Sequence, residues 1–186
     1  MTPLRLLAPV IAAIACALPA AAQSPVAQAG AHVQFALTEC LRNYRTPEQL
    51  HDIFTQAGMG HSIEDFGGGE IIHWYDAPDQ TAFVAVVGLG GANGPECRIT
   101  TNHISVTAML PFARSVAARV MSGVTIADTS PEGQVILPDG PGSDGEFCTG
   151  FHMLVPRSMI WVQVGNPGNE AYCRSSLEGA IIRVLL

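Results

Sequence analysis

The chain contains no lysine: all nine of its basic residues are arginine, set against 16 Asp and Glu in 186 residues. That absence removes several chemistries at once. A P-loop needs a lysine on the nucleotide phosphates, a protein-kinase site needs a strand lysine, and Schiff-base catalysis needs a lysine amine. Charge of either sign is scarce, at 13% of residues, and aromatic residues make up only 6%. With a formal net charge of -7, the chain lacks the basic footprint that neutralises nucleic-acid phosphates, so no nucleic-acid partner is expected. No G-x-S-x-G elbow, H-E-x-x-H or H-x-H spacing, C-x-x-C pair or EF-hand loop occurs, which leaves cofactor and metal without a motif.

What is present begins with an export signal. Arg5 precedes an apolar run from Leu6 to Leu18, and Ala20-Ala21-Ala22 supplies an Ala-x-Ala ending, the layout of a cleavable secretory peptide. A retained anchor is the lesser reading, because Leu6 to Ala22 is 17 residues long and broken by Pro9 and Pro19, the short edge of a membrane span. Lipidation at Cys16 is a third reading, weakened by Ala13 standing where a leucine is usual. Cleavage after Ala22 removes Arg5 and no acid, leaving 164 residues with 8 Arg against 16 acids, a net charge of -8. The expected product is periplasmic or secreted, with no stable membrane anchor, and long enough for one domain.

Four cysteines remain after cleavage: Cys40, Cys97, Cys148 and Cys173. An even number in an oxidising compartment predicts two disulfides. Cys40–Cys97 with Cys148–Cys173 is the favoured of three pairings, since each joins elements that chain order can make neighbours. Loop closure gives them about 4 and about 3.5 kcal/mol respectively. No free thiol is then left for catalysis or for zinc.

Residues 23–31 are small and unpatterned and read as a flexible leader. Val33, Leu37, Cys40, Leu41 and Tyr44 then recur at helical spacing. Thr46-Pro47-Glu48-Gln49 reads as a capping box opening a second helix that stops at Gly58. Strands are expected at 70–75, 81–89, 97–106, 133–137, 147–155 and 158–165, with a helix at 111–121 between the third and fourth. The run from Thr81 to Leu89 is nearly all apolar and predicts a central strand buried on both faces. Asn169 is placed to cap a last helix through Cys173, Leu177, Ala180, Ile181 and Val184. The resulting order is α-βββ-α-βββ-α, a single α+β domain over 32–186 on a mainly antiparallel sheet of about six strands. The repeated helix-then-strands rhythm hints at an internal duplication.

Candidate sites each face a plainer reading. Gly88 to Gly94 resembles a phosphate loop, but a strand follows it where a dinucleotide site needs a helix. The acidic stretch Asp139 to Glu146 departs from the alternate-ligand pattern of a calcium loop. His61, Asp65 and His73 can be imagined around one metal, with Glu64 or Glu70 behind them. His73-Trp74-Tyr75 and Trp161 form the candidate binding surface, although strand alternation puts Trp74 on the opposite face from its two neighbours.

Two functional readings follow. The first is an exported, non-catalytic binding or accessory module that recognises an envelope protein or a small ligand, without a cofactor. The second is an envelope hydrolase, with or without a metal's assistance, that uses His61, Asp65 and His73. The first is preferred because no catalytic signature is present.

Overall fold

The computed structural model of the protein describes residues 23–65, 67, 71–88, 95–127, 134–136, 147–165 and 179–185. The expected signal peptide, most of the glycine loop before Gly94, Glu70, the stretch Asp139–Glu146, and Asn169 through Leu177 lie outside the described residues.

Helix α1 (Pro25–Arg42) opens on Ser24, whose hydroxyl accepts the Ala27 N–H at 3.3 Å, with Pro25 in the first turn. Segment 23–31 is therefore mostly helix rather than leader, and Ala29 is fully buried. Alanine and glycine carry no amphipathic signal, which hid this turn from the sequence pattern. A short 3-10 turn at Pro47–Gln49 leads into α2 (Leu50–Gln56). Thr46 makes no side-chain cap. The turn is closed by backbone instead, with the Gln49 N–H on the Thr46 carbonyl at 3.0 Å. Gly58 ends α2 as expected, at φ +80°. Its N–H reaches the Thr55 carbonyl, and the Met59 N–H reaches Phe54, at 3.0 and 3.1 Å. This pair of bonds is a Schellman closure.

The chain reverses there into strand β1 (Gly60–Asp65), followed by β2 (Ile71–Asp76), β3 (Phe83–Val87) and β4 (Glu96–Thr101). Helix α3 (Val106–Val120) starts five residues before the expected position, because Ser105 caps it and Pro111 is carried inside. Strands β5 (Thr125–Ala127), β6 (Gln134–Ile136), β7 (Phe147–Val155), β8 (Ser158–Gly165) and β9 (Ala180–Leu185) complete the order. All pair antiparallel in one sheet, in the order β1-β2-β3-β4-β9-β8-β7-β5, with β6 also on β7. Fold class α+β thus holds, with nine strands among the described residues where about six were expected. Each half of the chain runs helix first and strands after, and the last strands of the halves, β4 and β9, meet at the middle of the sheet.

The end of the chain departs from the expected helix. Residues 180–185 form a strand, with Ala180, Ile182 and Val184 buried on one face and Ile181, Arg183 and Leu185 partly exposed on the other. Ala180, Ile181 and Val184 fit a helical stripe, but alternation fits as well, and β-branched Ile and Val favour the pleated form. Tertiary pairing decides it, since β9 closes ladders with both β4 and β8.

The helices cover one face of the sheet. Leu37, Leu41, Phe54, Met109 and Val116 pack there against Tyr75, Val84, Val86, Ile99, Phe151, Val162 and Ile182. Strand β3 is central as expected, with Val84, Ala85, Val86 and Val87 all buried. The Cys40–Cys97 disulfide ties α1 to β4 with Cα atoms 6.3 Å apart. The second expected bridge involves Cys173 and falls outside the described residues. No described helix is long and apolar enough to cross a membrane.

Gly179 stands immediately before β9 at φ +136°, where a Cβ atom would lie 2.8 Å from the Thr101 carbonyl oxygen and 3.2 Å from the Asn102 Cα. That backbone conformation belongs essentially to glycine. Gly179→Ala is therefore expected to destabilise the protein by about 1–3 kcal/mol, read as an earlier chemical-denaturation midpoint with an unchanged slope.

Candidate metal centre

Half of the six histidines come together at one corner of the helix-covered face. His51 lies in the first turn of α2, His61 near the start of β1 and His73 in the middle of β2. The short closure at Gly58 brings β1 back beside the helix it has just left. Register then sets His61 opposite Tyr75 and Ile63 opposite His73. Alternation places His61, His73 and Tyr75 on the same face, toward α2.

The three rings converge. His61 Nε2 and His73 Nδ1 are 3.2 Å apart, and one ring nitrogen from each histidine lies within 4.8 Å of the others. His51 and His61 have ring centroids 4.6 Å apart, and His61 stacks on His73 at 5.5 Å. A tetrahedral metal with bonds of 2.0–2.1 Å to nitrogen has a nitrogen-to-nitrogen edge of roughly 3.3 Å. The His61–His73 separation already matches that edge, and the His51 nitrogen lies within 4.8 Å of both.

Electrostatics keep these rings ready for a cation. Burial lowers the His73 pKa below its ordinary 6.5, and the neighbouring His61 and His51 lower it further. The lowering favours neutral His73, and a neutral imidazole is the ligand form. Behind them stands Tyr75, fully buried against Phe54 at a centroid distance of 5.0 Å. Its hydroxyl lies 3.2 Å from His51 Nδ1. Burial, with Asp52 adding to it, raises the Tyr75 pKa to about 12, so the phenol keeps its proton at neutral pH. Tyr75 is thus a positioning partner, not an anionic ligand: its oxygen can accept the His51 Nδ1–H and leave Nε2 for a metal.

Several other expected participants lie elsewhere. Asp65 accepts the Gly67 N–H at 2.7 Å and is outside the histidine group. Glu64 points to the opposite face and accepts the Trp74 indole N–H at 3.1 Å. The candidate surface His73, Trp74, Tyr75 and Trp161 is not one surface. His73 and Tyr75 face the helices, whereas Trp74 packs with Ile72, Ala85 and Val87 on the other side. Trp161 shares that side but sits on β8, four strand steps from β2, about 19 Å at the usual spacing. A surface groove lined by Tyr44, Arg45, Pro156, Arg157 and Ser158 shares no residue with the histidine group.

His51 is the member that sequence reasoning missed. It follows buried Leu50 at the start of α2, and nothing in its own spacing marks it as a ligand. The available signal was the brevity of the link from Gly58 to His61, which forces the strand to return past the helix. No family model matches the chain, and no significant match is found among curated proteins or solved structures.

Proposed function

We propose that the chain is an exported binding module whose small ligand is one divalent transition-metal ion, held by His51, His61 and His73. The observation that carries this reading is the convergence of three imidazole nitrogens, from three separate elements, within 4.8 Å. Nitrogen donors without hard oxygen ligands suit zinc, copper(II) or nickel, and not magnesium or calcium. Three protein ligands leave one tetrahedral position open, and the chain's net negative charge draws cations toward it. The hydrolase reading is less well supported, because Asp65, its carboxylate, is engaged with Gly67 and lies outside the group.

Isothermal titration of the chelator-stripped protein with zinc tests this directly. One equivalent is expected per chain. Replacing His51, His61 or His73 singly by alanine should weaken binding at least 100-fold, while Tyr75→Phe should weaken it about 10- to 100-fold through loss of the outer hydrogen bond. Undiminished binding in all three alanine variants would place the metal elsewhere and end the proposal.

A further inference from the structure

The strand that carries His61 is the least protected element of the described fold. Among the described residues β1 lies at the edge of the sheet and pairs only with β2, and all six of its residues are exposed. Its outer row of backbone N–H and C=O groups therefore has no strand partner among the described residues, which makes it a template for another chain. Ile63, in the middle of this edge, is 60% exposed. By alternation its side chain shares the helix-covered face with His61 and Asp65.

We propose that a second copy of this chain pairs its own β1 with this edge, antiparallel about a two-fold axis normal to the sheet, with Ile63 opposite Ile63. Such an axis keeps both helix layers on the same side of a continuous sheet, so only residues of like orientation meet. The centred register sets His61 opposite Asp65 of the second copy, Ser62 opposite Glu64, and the two exposed isoleucines against each other. Moving the centre to Ser62 or Glu64 loses every acid-to-histidine pairing, and the latter also opposes Glu64 to itself.

The pairing reaches the metal centre, and in this respect it rests on the metal-binding reading. Residues directly opposite across an antiparallel pair have Cβ atoms about 4.5–5.5 Å apart. His61 turns Nε2 toward His73, which leaves Nδ1 for the carboxylate of the second copy. One oxygen of that carboxylate holds the Gly67 N–H, and the other is available as acceptor. Carboxylate, histidine and metal in line fix the ring tautomer and strengthen the ligand. Each copy completes the other's site.

A seam of five residue pairs falls short of the roughly 1,000 Å² that a stable interface buries. Two free copies also repel, each carrying a net negative charge. Metal supplies positive charge beside the seam, so dimerisation is metal-dependent.

Sedimentation velocity of the full mature chain, stripped or loaded with zinc, decides the matter alongside zinc titration of the same samples. The loaded protein should be dimeric at about 100 μM and the stripped protein mainly monomeric, given the small seam. Ile63→Lys, which opposes two like charges on the axis, should return the loaded protein to monomer with one zinc still bound per chain. Asp65→Asn should weaken the dimer and lower zinc affinity about tenfold. A zinc-loaded monomer would overturn the dimer while leaving the metal site standing. A dimer that survives Ile63→Lys would overturn the β1 interface. Failure to bind zinc at all would remove the metal reading and the role given to Asp65 with it.

Discussion

Saturating the chain with zinc at about pH 7.5 is expected to raise its unfolding temperature by roughly 8–16 °C. Free metal at 1,000 times the dissociation constant adds about 4.1 kcal/mol to the folded state. A domain of this size gains about 2–4 °C for each kcal/mol. The location of the site makes the effect global: its ligands tie α2, β1 and β2 together, and β1 has no buried residue of its own.

Acid should erase this gain, and the sign follows from the rings. In the free protein His73 is held below its ordinary 6.5, first by burial and then by His61 and His51. The fold therefore prefers neutral His73, and the unfolded chain binds that proton more readily. Above pH 6.5 neither state carries it and nothing is lost. As the pH falls below 6.5 toward the lowered folded value, the metal-free fold loses stability. Zinc needs the same neutral nitrogens, so its contribution fades over and below that interval. Differential scanning calorimetry across pH checks both effects. A zinc-induced shift of undiminished size at about pH 5 would be incompatible with imidazole ligands.

Glu96→Ala carries the other large effect, at about 3–5 kcal/mol. Arg98 on β4 and Arg183 on β9 stand directly opposite each other, a like-charge pair that opposes strand pairing. The Glu96 carboxylate resolves the conflict. It accepts Arg98 Nε and Nη2 at 2.9 and 3.2 Å, Arg183 Nη2 at 2.9 Å, and Arg183 Nε in a short contact. Glu96 is buried and the guanidiniums are partly so. Removing the carboxylate thus takes away the anion that these two facing cations share in a partly buried site. Burial alone would raise the Glu96 pKa, but the bonds and charges of Arg183 and Arg98 outweigh it and hold the carboxyl below its ordinary 4.5. Its stabilisation is accordingly complete above pH 4.5 and lost as the pH falls through the lower folded value. Urea denaturation of Glu96→Ala at neutral pH measures the cost. A loss smaller than about 1 kcal/mol, the scale of an exposed pair, would mean that water screens this cluster.

Where local chemistry has one solution, the sequence was sufficient. The apolar run at Val84–Val87 had to be a strand covered on both faces. Pro156-Arg157 joined two strands whose limits, Phe147–Val155 and Ser158–Gly165, agree with the alternation read from the residues. Gly58 stopped α2, because its left-handed backbone suits glycine. Cys40 and Cys97 were named as partners and meet across α1 and β4.

Tertiary structure decided the rest. Strand β1 has no buried face and hence no alternating pattern to detect; it exists because β2 offers it a ladder. Residues 180–185 satisfy both the helical and the strand period, and the choice was made by the vacant ladders of β4 and β8. The histidine group has the same origin. His61 and His73 were legible as candidates, yet their third partner is His51, brought in by a chain reversal and not by any spacing within a motif. Sequence periodicity records which side of an element is apolar. It does not record which exposed polar side chains from separate elements will be set a few ångströms apart, because that depends on register and on how α2 lies against the sheet.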